Sequence, residues 1–155
     1  MKKNLSQSAT NENAGKRLAR LAAVQGLYQI ALTKNTAEHI IRDFHNHPPE
    51  QSVGEMMVGM DVELFGEIVT GVTREEPALD EMLAGAFGEK ISAGRVEILL
   101  RAILRAGAYE LHNHAKIPTG VIINDYVDVA HAFFDAKEPG LVNAVLDKIA
   151  KGLRS

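Results

Sequence analysis

The sequence has no cysteine and no tryptophan, and aromatic residues make up only 5% of its 155 residues. Without cysteine the chain can form no disulfide and no thiolate metal site, and nothing in it indicates an oxidising compartment. No apolar run approaches the roughly 18 residues of a membrane-spanning helix. Residues 1–13 include two lysines but no apolar segment of the kind that a secretory signal requires. These absences predict a soluble, cytoplasmic protein.

The common catalytic and cofactor-binding motifs are also missing. The sequence has no glycine-rich phosphate loop, no His-Glu-x-x-His and no Gly-x-Ser-x-Gly. Its carboxylates are scattered over the outer faces of predicted helices, without a pair suited to acid–base chemistry. We therefore assign no catalytic residue and no cofactor, and expect a protein that is not an enzyme.

Charge is distributed unevenly along the chain, although the net charge is only −3. Residues 1–20 carry a net charge of +4, residues 21–89 carry −9, and residues 90–155 carry +2. Such segregation suits a polyanionic ligand at one face. Unequally solvated faces would explain it equally well, so charge alone leaves both explanations open.

Apolar residues recur at helical spacing along most of the sequence, and signals for β-strands are few. The sequence predicts an all-α protein of about seven helices, in two small helical subdomains that share a core. Residues 1–13 are predicted to be a disordered tail. One domain is expected to follow over 14–155, with an N-terminal lobe at 14–88 and a C-terminal lobe at 92–155, divided at a linker over 87–94.

Local signals predict where several helices begin. Thr36 and Asp61 are suited to N-caps, and Pro77 and Pro139 to the first turns of further helices. The stretch 49–59 is expected to be a loop.

The first predicted helix opens with three cations, in the segment AGKRLARLAAVQGLYQIAL. Leu21, Tyr28 and Leu32 fall on one side of the helical wheel, and Lys16 and Arg20 fall on the opposite side. We expect the apolar side to be covered and the cationic turn to remain in water.

The tripeptide His-Asn-His occurs twice, at 45–47 and at 112–114. Two His-x-His pairs could ligate zinc or copper. Each pair lies at a helix end before a proline, where histidine also interacts favourably with the helix dipole. We favour the dipole explanation and assign no metal site.

Three segments together carry a resemblance to a known family. They are KRLARLAAVQGLYQIAL, then RVEILLRAILRAGAYEL followed by IPTGVIINDYVDVAHAFF, and finally LVNAVLDKIAK. In order and spacing they strongly resemble the NusB family of bacterial transcription antitermination factors, over about residues 14–152 and weakly across 34–90. The same helical domain also occurs fused to RNA cytosine methyltransferases, but 155 residues leave no room for their cofactor-binding domain.

The resemblance implies an all-α fold and an RNA-binding function. It implies binding of boxA, a short single-stranded element of ribosomal RNA leaders, jointly with NusE, which is a small-subunit ribosomal protein. The pair would join the RNA polymerase antitermination complex and suppress premature termination. Some relatives self-associate, so a homodimer is an alternative.

Site residues follow from the same resemblance. The first half of the RNA site would lie on the opening helix, at Lys16, Arg17, Arg20, Gln25 and Tyr28, although Tyr28 is better suited to the core and Gln25 to a buried amide. The second half would be the start of the last helix, at Lys137, Gly140, Leu141 and Asn143, with a buried role for Asn143 as an alternative. Relatives commonly carry Phe where this chain has Leu141, and the loss of base stacking predicts weaker RNA binding.

The resemblance places the NusE contact at Glu97, and Arg101 and Arg105 continue its helix face. A solvated ladder of charges four residues apart would give the same pattern. Two other functions stay open from the residues alone. One is a metal-dependent RNA-processing enzyme that uses the His-Asn-His segments, and the other is an adaptor that binds only protein.

Overall fold

The structure, a computed structural model, describes residues 2–87 and 95–154, and side chains from 11–86 and 97–154. In this part of the chain there are six helices and one two-stranded antiparallel hairpin. In chain order they are α1 (Lys2–Thr33), α2 (Ala37–Asn46), β1 (Glu50–Val53), β2 (Met56–Gly59), α3 (Val62–Phe87), α4 (Arg95–Asn113), α5 (Thr119–Phe133) and α6 (Glu138–Leu153). The prediction of an all-α class is confirmed. Most of the predicted linker lies outside the described residues, and the division into two lobes stays a prediction.

Two of the predicted helix starts are visible as side-chain caps. The Thr36 hydroxyl accepts a hydrogen bond from the His39 amide at 3.1 Å, and the Asp61 carboxylate accepts one from the Leu64 amide at 3.0 Å. Each satisfies an amide that has no partner inside its helix.

The expected break at Pro77 is wrong, because Pro77 lies inside α3. Pro77 is exposed, and the buried stripe continues past it from Val72 to Leu79 and Leu83. Burial on both sides of the proline stabilises a continuous helix against the lost hydrogen bond. Six described helices therefore stand where about seven were predicted.

A β-hairpin occupies the stretch predicted to be a loop. Glu50 pairs with Gly59 and Val53 with Met56, around a turn in which Gly54 has φ of 64°. This left-handed conformation favours glycine and is typical of two-residue hairpin turns. Val58 is buried and the hairpin packs against α1, so tertiary contact supports strands too short to be recognised from sequence.

The first helix extends back to Lys2, where a disordered tail was predicted over residues 1–13. Adding turns to an existing helix avoids the cost of nucleating a new one. An ion pair between Lys16 and Glu12, at 3.8 Å, also links the two parts of α1.

One continuous core joins all six helices, with Val24, Phe65, Ile103, Tyr126 and Leu146 among its buried members. Two glycines allow helices to approach closely. A Cβ at Gly71 would lie 2.3 Å from the Tyr109 ring, and one at Gly107 would lie 2.6 Å from Leu146. No helix in the described ranges has the length and apolar character needed to cross a bilayer.

Candidate nucleic-acid interface

The three cations in the first predicted turn of α1 differ in burial, because Arg20 is buried and Lys16 and Arg17 are not. Arg20 is only 2% exposed, so the expectation that it lies in water is wrong. Its guanidinium donates hydrogen bonds to both Glu110 oxygens, at 2.7 and 2.9 Å, and to Asp125 at 2.7 Å. The Tyr126 hydroxyl donates to the same Glu110 carboxylate at 2.5 Å. Arg20 therefore ties α1 to α4 and α5 and is not available to RNA.

The ionisation of this cluster is set by its hydrogen bonds. Burial raises the pKa of Glu110, but hydrogen bonds from His114, Arg20 and Tyr126 outweigh it and hold the pKa at about 2. Burial also disfavours the charged form of Arg20, yet the Glu110 carboxylate raises its pKa. For Asp125, burial outweighs Arg20 and raises the pKa. Glu110 and Arg20 are therefore a permanent ion pair near neutral pH.

His114, from the second His-Asn-His, extends the cluster to α3. Its Nδ1 lies 3.0 Å from Glu110 and its Nε2 lies 2.5 Å from Glu67. The hydrogen bond with Glu110 raises the pKa of His114, burial opposes the increase, and Glu67 adds to it. In the parts of the chain that the structure describes, no three His, Asp or Glu side chains gather as a metal ion would require.

The other two cations of the α1 turn remain accessible. Lys16 and Arg17 line a groove of about 430 Å³ between α1 and α5, together with Lys116 from the α4–α5 turn. Arg17 and Lys116 are exposed and have no ion-pair partner among the described side chains. Asp125 also lines this groove, but its carboxylate is engaged by Arg20. The open part of the groove is therefore cationic.

A second groove continues from Arg17 along α5. Arg17 and Leu21 of α1 line it together with Asp128 and Ala132 of α5, and Glu50 of the hairpin also lines it. The grooves thus follow α5 towards the start of α6, which is reached after a short connection at 134–137.

The remaining α1 candidates lie farther along the same helix. Gln25 is exposed, so the buried-amide interpretation is wrong, and Tyr28 is half-buried. Spacings of four and three residues place Leu21, Gln25 and Tyr28 on the side of α1 that carries Arg17. Leu32 is 43% exposed, which differs from the covered position predicted for it.

The four candidates at the start of α6 are all exposed: Lys137, Gly140, Leu141 and Asn143. Pro139 occupies the first turn as predicted, and no side chain caps that turn. Within the described residues α6 packs on α3, α4 and α5 and makes no contact with α1. The two predicted halves of the site therefore do not pack against each other, and α3, α4 and α5 link them, since each packs against both α1 and α6.

The predicted partner face on α4 is already paired internally. Arg101 forms an ion pair with Glu97, one turn earlier. Arg105 donates to both oxygens of Asp80 in α3, at 2.8 and 2.9 Å, and lies 3.3 Å from Glu76. Arg101, Arg105 and Glu76 line a cleft of about 470 Å³ between α1, α3 and α4.

Comparison with known proteins identifies the family. The model of the NusB family matches residues 17–151, which is most of the chain. The chain belongs to the NusB family. NusB proteins are non-enzymatic transcription antitermination factors, and the prediction that the chain is not an enzyme is confirmed.

Individual relatives support the assignment over nearly the full chain. The transcription antitermination protein NusB of Rhizobium rhizogenes is 42% identical over 137 residues, covering 88% of this chain and 86% of its own. The protein of the same name from Nitrobacter hamburgensis is 36% identical and covers 100% of this chain and 95% of its own. A solved structure of T. maritima NusB superposes with a TM-score of 0.70 at 25% identity, covering 87% and 89% of the two chains. The NusB-like fold predicted for the chain is confirmed.

Sequence reasoning missed several residues that shape the candidate interface. Glu110, Asp125 and Tyr126 hold Arg20, but they lie far from it along the chain. Lys116 is a lone cation in a turn, and only its position between two predicted helices could have indicated a role near the start of α5.

Proposed function

We propose that the chain binds the single-stranded boxA RNA of ribosomal RNA leaders through the groove between α1 and α5. It acts jointly with NusE, as part of the RNA polymerase antitermination complex, to suppress premature termination. The observation that carries the proposal is the position of Arg17, which has no ion-pair partner among the described side chains, beside Lys16 and Lys116 in one groove. Membership of a family of antitermination factors supplies the biological context.

Phosphate binding accounts for affinity at such a groove. Each cation that neutralises a phosphate releases condensed counterions, so affinity falls with salt by a log–log slope of about −0.7 per contact for single strands. Because Arg17 and Lys116 have no partner among the described side chains, no internal ion pair has to break first. Arg20 supports the site indirectly, since its buried ion pairs hold the α1 turn against α5.

Base recognition requires groups beyond these cations, since phosphate contacts carry no sequence information. Gln25 and Tyr28 lie on the Arg17 side of α1, where an amide and a phenol can reach base edges or stack. The uncapped first turn of α6 offers free amides to a phosphate, with Lys137 beside it. Leu141, exposed at 40%, provides an apolar contact but no aromatic face, so we expect weak binding by the protein alone.

The first test removes the two α1 cations that line the groove and are not buried. We expect Lys16→Ala with Arg17→Ala to reduce the salt slope for a boxA RNA by about 1.4, for two lost phosphate contacts. Affinity at low salt should fall strongly while helicity and thermal stability stay unchanged. Fluorescence anisotropy over a salt series measures the slope, and circular dichroism measures the fold.

A matched control removes one arginine and one lysine elsewhere. Arg74 and Lys148 are exposed and do not line the α1–α5 groove. Arg74→Ala with Lys148→Ala changes the net charge equally and should leave the slope close to that of the wild type. Equal losses in both double variants would show that net charge, and not this groove, controls binding.

The partner surface is proposed at Glu97, Arg101 and Arg105 beside the α1–α3–α4 cleft. The acidic middle of the chain suits a basic ribosomal protein by long-range attraction. In this proposal NusE adds RNA contacts that the chain lacks, so the affinity for boxA RNA rises when NusE is present. An adaptor that binds only protein would show no such increase.

A further inference from the structure

The turn between α4 and α5 is held by a side chain from the end of α6. Arg154 donates hydrogen bonds to the carbonyl oxygens of Leu111 at 3.1 Å, His114 at 2.9 Å and Ile117 at 2.6 Å. It also lies 3.2 Å from the Thr119 hydroxyl. One guanidinium thus contacts the last turn of α4, the connection and the first residue of α5.

This arrangement is specific to arginine. A guanidinium presents five donors in a rigid fork, whereas a lysine ammonium is a single point with three donors. The carbonyls of Leu111 and His114 belong to the end of α4, where the helix dipole also favours a positive charge. Each guanidinium nitrogen of Arg154 therefore donates to residues of 111–119, and Arg154 does not line the groove described above.

The same turn carries one wall of the cationic groove. Lys116, Ile117 and Pro118 line it opposite Lys16 and Arg17. The Ile117 amide donates to the His114 carbonyl at 3.0 Å, and that carbonyl is one of the Arg154 acceptors. Removing Arg154 would therefore loosen the backbone on both sides of Lys116.

We propose that Lys116 is a third phosphate-binding cation of this groove and that Arg154 is the positioning residue that holds it there. This inference rests on the function proposed above. It extends the RNA contact from α1 to the α4–α5 turn, so that a single strand is held from both sides of the groove. It also assigns to the end of α6 a role in RNA binding that involves no direct contact.

The experiment is a double-mutant cycle with boxA RNA and the full chain. Lys116→Ala should reduce the salt slope by about 0.7, for one lost phosphate contact. Arg154→Ala should give a similar reduction, and the double variant should lose no more than either single variant. Arg154→Lys keeps the charge but not the fork, so it should behave like Arg154→Ala. Lys151→Ala, which removes an exposed α6 lysine outside the groove, is the charge control.

Hydrogen exchange provides a readout that does not depend on RNA. In Arg154→Ala the Ile117 amide should exchange several-fold faster, while amides in the middle of α3 keep their protection. Unchanged exchange would overturn the positioning role directly. A wild-type slope in either single variant, or additive losses in the double variant, would overturn the coupling of Arg154 to Lys116.

If the proposed function itself is wrong, the measurements of RNA binding and hydrogen exchange would give a different combination of results. In that case Lys16→Ala with Arg17→Ala would also leave RNA binding unchanged, while hydrogen exchange would still respond to Arg154→Ala. Lys116 would then have no phosphate to bind, and the inference would fail together with the function.

Discussion

The α1–α5 groove and the outer face of α4 both carry arginines, but these arginines differ in whether a carboxylate pairs with them. Arg17 in the groove is exposed and has no ion-pair partner among the described side chains, whereas Arg101 and Arg105 on α4 are each paired with carboxylates. A polyanion can bind Arg17 without breaking an ion pair among the described side chains. A partner at the α4 face must displace or share existing ion pairs. The number of cations on a surface therefore does not by itself determine how readily the surface binds an anion.

Arg20 differs most from Arg17, because it is both ion-paired and buried. It stands one turn from Arg17 on the same helix, yet it is buried against Glu110 and Asp125. Removing one partner of such a cluster leaves an uncompensated buried charge, which costs far more than the loss of an exposed pair. The comparison predicts that variants of the cluster affect stability, and variants of the groove affect RNA binding.

The largest expected effect comes from Glu110→Gln. The substitution keeps the shape of the side chain but leaves the buried Arg20 with only Asp125, so the free energy of unfolding should fall by about 3–5 kcal/mol. Urea denaturation followed by circular dichroism measures the loss. Glu81→Gln in α3, an exposed residue outside the cluster, should change stability by less than about 0.5 kcal/mol. Similar losses in both variants would show that the Arg20 cluster does not stabilise the fold.

Much of the helical framework could be predicted from sequence, because apolar spacing and caps are local signals. The periodicity of α4 and α5, and the caps at Thr36 and Asp61, depend on neighbours within a few residues. The state of Arg20 could not be predicted in this way. Its two carboxylate partners lie 90 and 105 residues away, and only the packing of α1 against α4 and α5 brings them together.

The residues of the candidate site likewise fall into those that local sequence predicts and those that only tertiary packing brings to the site. Arg17 was identified correctly as an exposed cation, whereas Lys16 is half-buried and paired with Glu12, and the role of both in RNA binding stays a prediction. The contribution of Lys116 to the same groove depends on how the α4–α5 turn meets α1, which no local pattern encodes. Pro77 is the reverse case, where a strong local signal for a helix start was overridden by burial of Val72 and Leu79 on either side.

A smaller effect is expected from His114, because its contribution depends on pH. The hydrogen bond with Glu110 and the contact with Glu67 raise the pKa of His114 above its ordinary value of 6.5, although burial opposes the increase. The charged imidazole therefore stabilises the fold fully below pH 6.5, and this contribution is lost as the pH rises through the folded-state pKa. The charged groups that surround it come from three helices, namely Glu67 of α3, Glu110 of α4 and, through Glu110, Arg20 of α1.

The test compares His114→Gln with the wild type from pH 5 to pH 9. The difference in the free energy of unfolding should be on the order of 1–2 kcal/mol at the acidic end and should shrink towards the alkaline end. His112→Gln is the matched control, because His112 belongs to the same His-Asn-His but is exposed. A difference that grows with pH would mean that His114 stabilises the fold as the neutral imidazole.

The smallest change in stability is expected from Arg101→Ala, at the paired face of α4. Its ion pair with Glu97 joins residues four apart on one helix and is partly exposed, so its loss should cost about 0.3–0.5 kcal/mol.

The proposed contact with NusE predicts a larger effect on binding, because the substitution removes a charge and uncovers Glu97 at the interface. Anisotropy titrations of boxA RNA with and without NusE should show the partner's increase in RNA affinity reduced several-fold, with binding by the chain alone unchanged. Glu81→Ala, which removes an exposed charge from α3, should leave that increase intact. If Arg101→Ala leaves it intact too, the α4 face is only a solvated ladder of charges, and the partner binds elsewhere.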